Sequence, residues 1–140
     1  MKKQKINHPA VWVAIVLSQV IPVLWHRLFR FTPYYEPIGD RLDEVYSTPA
    51  LYIVGFLAAI VAMYLLESLF IRLNVDSGQD GLVTGLIIGV VFNVFSLITI
   101  YSFSAHPIEI GLIDFGANAL IFLAAGLVLG GWRKYETVPA

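Results

Sequence analysis

The stretch from Gly81 to Ala105 is twenty-five residues long and contains no charged side chain. A bilayer has a hydrocarbon core of roughly 30 Å, which a helix rising about 1.5 Å per residue crosses in about 20 residues. Within lipid, only a helix or a closed barrel pairs every backbone polar group. The stretch therefore predicts a membrane-spanning helix.

The composition points to the same environment. The chain is 58% hydrophobic and 14% charged, whereas ordinary soluble domains are about 45–50% apolar and about 25% charged. The net charge of −1 provides no basic field for nucleic acid, so we expect no nucleic-acid partner. The absence of cysteine excludes disulfides and thiolate metal ligands. We expect the lipid bilayer to be the main partner.

Four apolar segments divide the 140 residues. They predict a single all-α transmembrane domain over 1–140, an integral membrane four-helix bundle. Prolines and a glycine mark the connection between the first and second segments as a loop. Ser77 or Asp80 is expected to cap the third helix. The predicted spans are about 9–28, 50–69, 82–105 and 112–132, with a proline-rich loop at about 30–49.

Glycines spaced four apart are the most specific feature of these segments. This spacing places bare backbone on one face of a helix, where a second helix can approach closely. That second helix belongs either to the same chain or to another copy. The second span also has one face of small residues, Gly55, Ala58, Ala59 and Ala62. The predicted helix-packing residues are Gly81, Gly85, Gly89, Gly126 and Gly130.

Polar side chains inside the predicted spans are the candidate functional groups. Amides there either hydrogen-bond between helices or line a polar pathway. Glu67 lies near the end of its span, where its carboxylate reaches headgroup water or pairs with Arg72; the alternative is contact with an ion or substrate. The intramembrane polar residues are Gln19, Glu67, Asn93 and Asn118.

Aromatic and basic residues flank the spans, as expected of groups at the membrane interface. The predicted interface anchors are Trp12, Trp25, Trp132, Arg72 and Arg133. One side of the membrane would hold six basic residues, Lys2, Lys3, Lys5, Arg72, Arg133 and Lys134. The other would hold three, Arg27, Arg30 and Arg41. Because basic flanks stay inside, both termini are predicted to be cytoplasmic.

No motif in the sequence points to catalysis. There is no HExxH, P-loop or GxSxG pattern, so we expect no catalytic residue and no cofactor. His8 and His26 lie at opposite ends of the first span, which argues against a metal site. Asp114 is expected to complement the dipole at the start of the fourth helix. The one candidate cluster of acids and histidine, on the outer side, is Glu36, Asp40, Asp43, His106, Glu109 and Asp114.

A family resemblance covers nearly the whole chain. In the first part of the chain, its features are Asn7, Val11, Val13 and Ala14, then Trp25-His26, then Phe29 and Phe31. In the second part, they are the glycine-rich third span, Pro107, Ile113-Asp114, and Gly126 and Gly130 before Trp132. This pattern resembles the bacterial membrane family catalogued as domain of unknown function 1761. The resemblance implies four helices and a multi-pass protein of the bacterial inner membrane, and it implies no established activity.

The sequence is compatible with three functions. The first is a structural or interaction protein that packs through its Gly-x-x-x-Gly faces into a homo-oligomer or a larger membrane complex. The second is a small transporter or channel, which requires Gln19, Asn93 and Asn118 to share one polar path. The third is an interfacial enzyme that modifies lipids, using the outer cluster. We favour the first.

Overall fold

The computed structural model describes residues 2–29, 33, 48–104 and 108–137. Within them the chain forms four helices and two short strands. The proline-rich loop predicted at about 30–49 lies almost wholly outside the described residues. The elements are β1 (Lys2–Lys5), α1 (His8–Phe29), α2 (Pro49–Arg72), α3 (Gly78–Ser104), α4 (Ile108–Gly131) and β2 (Lys134–Thr137).

The predicted all-α architecture of four membrane-crossing helices is confirmed. All four helices include stretches long and apolar enough to cross a membrane. Two helices begin earlier than predicted. At the start of α3, the Ser77 hydroxyl accepts a hydrogen bond from the Asp80 N–H at 3.1 Å and donates to its carboxylate at 2.8 Å. These reciprocal bonds cap the helix one residue before Gly78. The fourth helix begins at Ile108 rather than near 112.

The helices pack unevenly. The contact between α3 and α4 is the most extensive, and α4 also packs against α1. Helix α2 packs mainly against α1 and touches α4 only slightly. We call the end where α1 and α3 begin, and where α2 and α4 finish, the terminal end. The opposite end is the distal end.

The hydrophobic core lies toward the terminal end. Its members come from the first half of α1, from α2 beyond residue 58, from the α2–α3 turn and from the last turns of α4, so three helices meet there. Phe70 is the largest side chain that is completely buried. The buried cluster consists of Ala10, Val11, Ala14, Ile15, Ala59, Met63, Leu66, Phe70, Val75, Ala125 and Leu129.

Strands β1 and β2 form an antiparallel two-stranded ribbon, which the sequence did not predict. Lys3 lies opposite Glu136, and Gln4 lies opposite Tyr135. Since β1 leads into α1 and β2 follows α4, the ribbon joins the two ends of the described chain. It therefore closes the terminal end of the bundle.

The helices are less covered toward the distal end. Every residue from 51 to 58 on α2 is exposed within the chain. On α3, Asn93 is the last buried residue whose side chain is described, and Phe95 and Phe103 beyond it are 74% and 88% exposed. These large apolar groups suit lipid or another protein helix, and their exposure to water would be costly.

Candidate functional site

A buried ion pair between Glu67 and Arg133 lies at the terminal end. Arg133 Nη1 donates to Glu67 Oε2 at 2.8 Å. The Arg133 side chain is 3% exposed and the Glu67 side chain is 0% exposed. Desolvating two charges is costly, so such a pair persists only when further hydrogen bonds satisfy the remaining polar atoms. The Arg133 guanidinium also lies 5.5 Å from the centre of the Phe70 ring. That distance allows a cation–π interaction.

Two backbone groups and the side-chain amide of Gln4 complete this polar cluster. The N–H of Asn7 donates to Glu67 Oε1 at 3.4 Å. Arg133 Nε donates to the Val75 carbonyl at 2.7 Å, and Gln4 Nε2 donates to the same oxygen at 3.1 Å. The start of α1, the end of α2, the α2–α3 turn and the segment after α4 therefore meet at one pair of charges.

Asn7 provides a second link between the ends of the chain. Its side-chain amide donates to the Trp132 carbonyl at 2.6 Å, while its own carbonyl accepts from Val11 in the first turn of α1. Two polar atoms in this region, Gln4 Oε1 and Arg133 Nη2, are buried without a hydrogen-bond partner among the described residues. The cluster is otherwise well satisfied, which makes it a structural clamp.

The structure corrects two expectations for these charges. Glu67 does not pair with Arg72; it is fully buried, and its partner is Arg133. Arg72 follows Glu67 by five residues, which turns it to a different side of α2. Arg133, predicted to anchor the interface, instead has its charge inside the protein. Sequence reasoning missed this pairing, although a carboxylate in the last turns of a span does signal the need for a basic partner.

The predicted glycines lie where α3 and α4 approach each other within the chain. A Cβ atom added to Gly81 would lie 2.7 Å from Gly130 Cα, and one added to Gly85 would lie 3.1 Å from Gly126 Cα. At Gly89 the added atom would meet the Phe122 side chain at 2.7 Å. Side-chain atoms do not fit at these positions, so this face is occupied by a helix of the same chain.

The intramembrane amides do not make the helix-to-helix hydrogen bonds expected of them. Asn93 donates to the Gly89 carbonyl of its own helix at 2.6 Å, and Gln19 donates to the adjacent Ser18 hydroxyl at 3.3 Å. Asn118 has no hydrogen bond from its side chain within the described part of the chain. No hydrogen bond between described residues links these amides with one another or with Glu67, so the geometry does not favour a shared polar path.

A different set of contacts joins α1 to α4 toward the distal end. Trp25 Nε1 donates to the Ile113 carbonyl at 2.8 Å, and the indole ring lies against Gly116. His26 Nε2 lies 3.7 Å from an Asp114 oxygen. Because α4 begins at Ile108, Asp114 lies in its second turn, beyond the first turn where the helix dipole acts most strongly.

The side chains of several predicted residues take no part in these contacts. Glu109 occupies the first turn of α4. Trp12 is 46% exposed and contacts Phe56, while Trp132 is 52% exposed. The remaining members of the outer cluster lie outside the described residues: Glu36, Asp40, Asp43 and His106.

The described histidines are far from forming one site. His8 Nδ1 lies 2.9 Å from the Tyr64 hydroxyl at the terminal end, whereas His26 lies near the distal end. Among residues 2–29, 48–104 and 108–137, no group of three or more histidine, cysteine, aspartate or glutamate residues is placed to hold a metal ion. The main polar cluster holds helices together, and the charges of Glu67 and Arg133 are paired with each other.

These features define the class of protein. Four long apolar helices around a small core, with large apolar surfaces uncovered, make the chain a small multi-pass membrane protein. Residues 9–130 match the model of a family described as protein of unknown function (DUF1761), and the chain belongs to that family. The comparisons found no matching curated protein and no matching solved structure.

Proposed function

We propose that this protein is an interaction protein of the membrane that associates with a second copy through one flank of α2. The observation that carries the proposal is that every residue from 51 to 58 on that helix is exposed within the chain. A Cβ atom added to Gly55 would meet nothing within 4 Å, and Ala58 and Ala62 are exposed. Small residues at this spacing allow close approach of a second helix.

The glycines of α3 are not available to a second copy, which supports the choice of α2 as the contact surface. Gly81 and Gly85 are buried against α4, so a second copy would have to displace α4 to use them. The flank of α2 that contains Ala58 has no such obstacle. It also lies on the opposite side of the helix from Phe56, which contacts Trp12 of α1.

Single-cysteine cross-linking in bilayers tests the proposal, because the chain has no cysteine of its own. Disulfides form only when Cα atoms come within about 4.4–6.8 Å. We expect Gly55→Cys and Ala58→Cys to give disulfide-linked dimers on mild oxidation. Leu57→Cys is the matched control, since Leu57 is also exposed but lies about 100° from Ala58 around the helix. Equal cross-linking at all three positions, or at none, would contradict the proposal.

A bulky substitution at Gly55 distinguishes an effect on dimer assembly from an effect on protomer folding. Gly55→Leu should weaken the dimer, because the larger side chain keeps two α2 helices apart. It should leave the protomer intact, because the space around Gly55 is open within the chain. Energy transfer between labelled copies in liposomes measures assembly, and unfolding in detergent measures the protomer. Unchanged energy transfer in Gly55→Leu would exclude this flank as the interface.

We also propose that the terminal end of the bundle faces the cytoplasm of a bacterial cell. Six basic residues lie at this end, and basic flanks are retained on the cytoplasmic side; they are Lys2, Lys3, Lys5, Arg72, Arg133 and Lys134. Fusion of a fluorescent protein that matures only in the cytoplasm to the C-terminus tests this orientation. Fluorescence supports it, and activity of a periplasmic reporter enzyme fused at the same place would overturn it.

A further inference from the structure

A groove lies between the terminal ribbon and the α2–α3 turn. Its volume is about 390 Å³, which is within the range of about 300–1,000 Å³ that is usual for small-molecule sites. Five of its six lining residues are polar. They come from both strands, the last turn of α2 and the turn that follows it: Lys3, Gln4, Ile71, Asn74, Asp76 and Tyr135.

Two opposite charges border this groove without neutralising each other. Lys3 and Asp76 do not approach within the 4.0 Å of an ion pair, and neither has another ion-pair partner among the described residues. By contrast, Lys5 and Glu136 on the same ribbon pair with each other at 3.6 Å. The side chains of Asn74 and Tyr135 also make no hydrogen bond within the described part of the chain. The groove is thus lined by one cation, one anion and three neutral polar residues.

The position of the groove fits a ligand that belongs to the membrane. Ile71 lies in the last turn of a membrane-crossing helix, and Leu69 and Leu73 beside it are 38% and 54% exposed. Tyr135 and Trp132 are about half exposed at the same end, as aromatic residues at headgroup depth often are. Apolar surface therefore leads from the hydrocarbon to the charged groove.

We propose that this groove binds the headgroup of a zwitterionic phospholipid that carries a primary ammonium. The phosphate is held by Lys3 and the ammonium by Asp76, with the acyl chains lying along the exposed leucines of α2. A primary ammonium has three N–H donors for a carboxylate, whereas a choline headgroup has none. An anionic glycerol headgroup lacks the cation that Asp76 requires. The site is therefore selective for phosphatidylethanolamine among these lipids.

Native mass spectrometry of the purified full chain tests this selectivity. The protein is released from micelles that contain equal amounts of phosphatidylethanolamine, phosphatidylcholine and phosphatidylglycerol, and the lipid adducts are counted. We expect phosphatidylethanolamine adducts to exceed the other two. Asp76→Asn should lower the ratio of phosphatidylethanolamine to phosphatidylcholine by about 1.5- to 5-fold, the range for a solvent-accessible ion pair. Preferential retention of phosphatidylglycerol by the wild type would overturn the proposal.

Matched variants on the same ribbon separate the groove from general surface charge. Lys3→Gln should reduce adducts of all three phospholipids, since each has a phosphate, whereas Lys5→Gln should not. Away from the ribbon, Glu109→Gln in the first turn of α4 should leave the lipid ratios unchanged because Glu109 does not line the groove. An Asp76→Asn variant that behaves like wild type, or a Glu109→Gln variant with an equal effect, would refute the site. An unchanged unfolding midpoint in each variant shows that the fold is intact.

Discussion

Substitution of Gly81 by alanine tests the packing of α3 on α4 most directly. The added Cβ would lie 2.7 Å from Gly130 Cα and 3.0 Å from Gly130 N, and closer still to the Gly126 carbonyl oxygen. All three are backbone atoms, so no side chain can rotate to make room, and the two helices must separate. Overpacking of this kind costs about 1–3 kcal/mol. The higher helix propensity of alanine offsets at most about 1 kcal/mol.

Gly55→Ala is the matched control, because it makes the same chemical change in open space. No atom lies within 4 Å of the added Cβ, so only helix propensity changes. We expect the protomer to gain between zero and about 1 kcal/mol. The two variants should therefore differ by about 2 kcal/mol, which is roughly a 30-fold difference in the folding equilibrium constant.

Reversible unfolding in mixed detergent micelles, followed by tryptophan fluorescence, measures this difference. Trp25 reports on the fold because its ring contacts Gly116 across the α1–α4 interface. We expect Gly81→Ala to unfold at a lower denaturant concentration than wild type, and Gly55→Ala to unfold at an equal or higher one. If Gly81→Ala were as stable as Gly55→Ala, the close approach of the two helices at Gly81 would be refuted.

Three further substitutions test the other contacts that join the helices. Arg133→Met should destabilise the fold by about 3–5 kcal/mol because it leaves Glu67 buried and unpaired. The double variant Glu67→Leu/Arg133→Met should recover most of that loss in the same unfolding assay. Equal instability of the single and double variants would refute the pairing. Ser77→Ala removes the cap of α3, which should cost about 0.5–2 kcal/mol and speed amide hydrogen exchange in the first turn. Trp25→Phe removes the hydrogen bond to the Ile113 carbonyl and should cost about 0.5–1.5 kcal/mol, measured by the unfolding midpoint.

The membrane-crossing helices could be predicted from the sequence because lipid imposes a length and excludes charge. Helix ends were less certain, since caps and flanking polar residues extend a helix beyond its apolar run. In α3 the polar residues from Gly78 to Asp80 are helical because Ser77 satisfies a free N–H. The predicted fourth span begins near residue 112, yet residues 108–111 already form the first turn of α4.

The polar cluster could be predicted only in part, because its contacts are distant in sequence. Glu67 was identified as a costly intramembrane acid, but its partner lies 66 residues away. Local spacing suggested Arg72 instead. The ribbon was missed because β1 is rich in lysine, which is depleted in strands, and because it forms through pairing with a strand that is distant in sequence. Asn93 was expected to reach another helix, but a carbonyl one turn back, at Gly89, is nearer.

The long separation between Glu67 and Arg133 has a consequence for biogenesis. At about 5–20 residues per second, a ribosome needs roughly 3–13 s to add the 66 residues between them. Throughout that interval the Glu67 carboxylate is without Arg133, its counter-ion. The four segments that meet at this ion pair can therefore reach their final arrangement only after the whole of α4 has been synthesised.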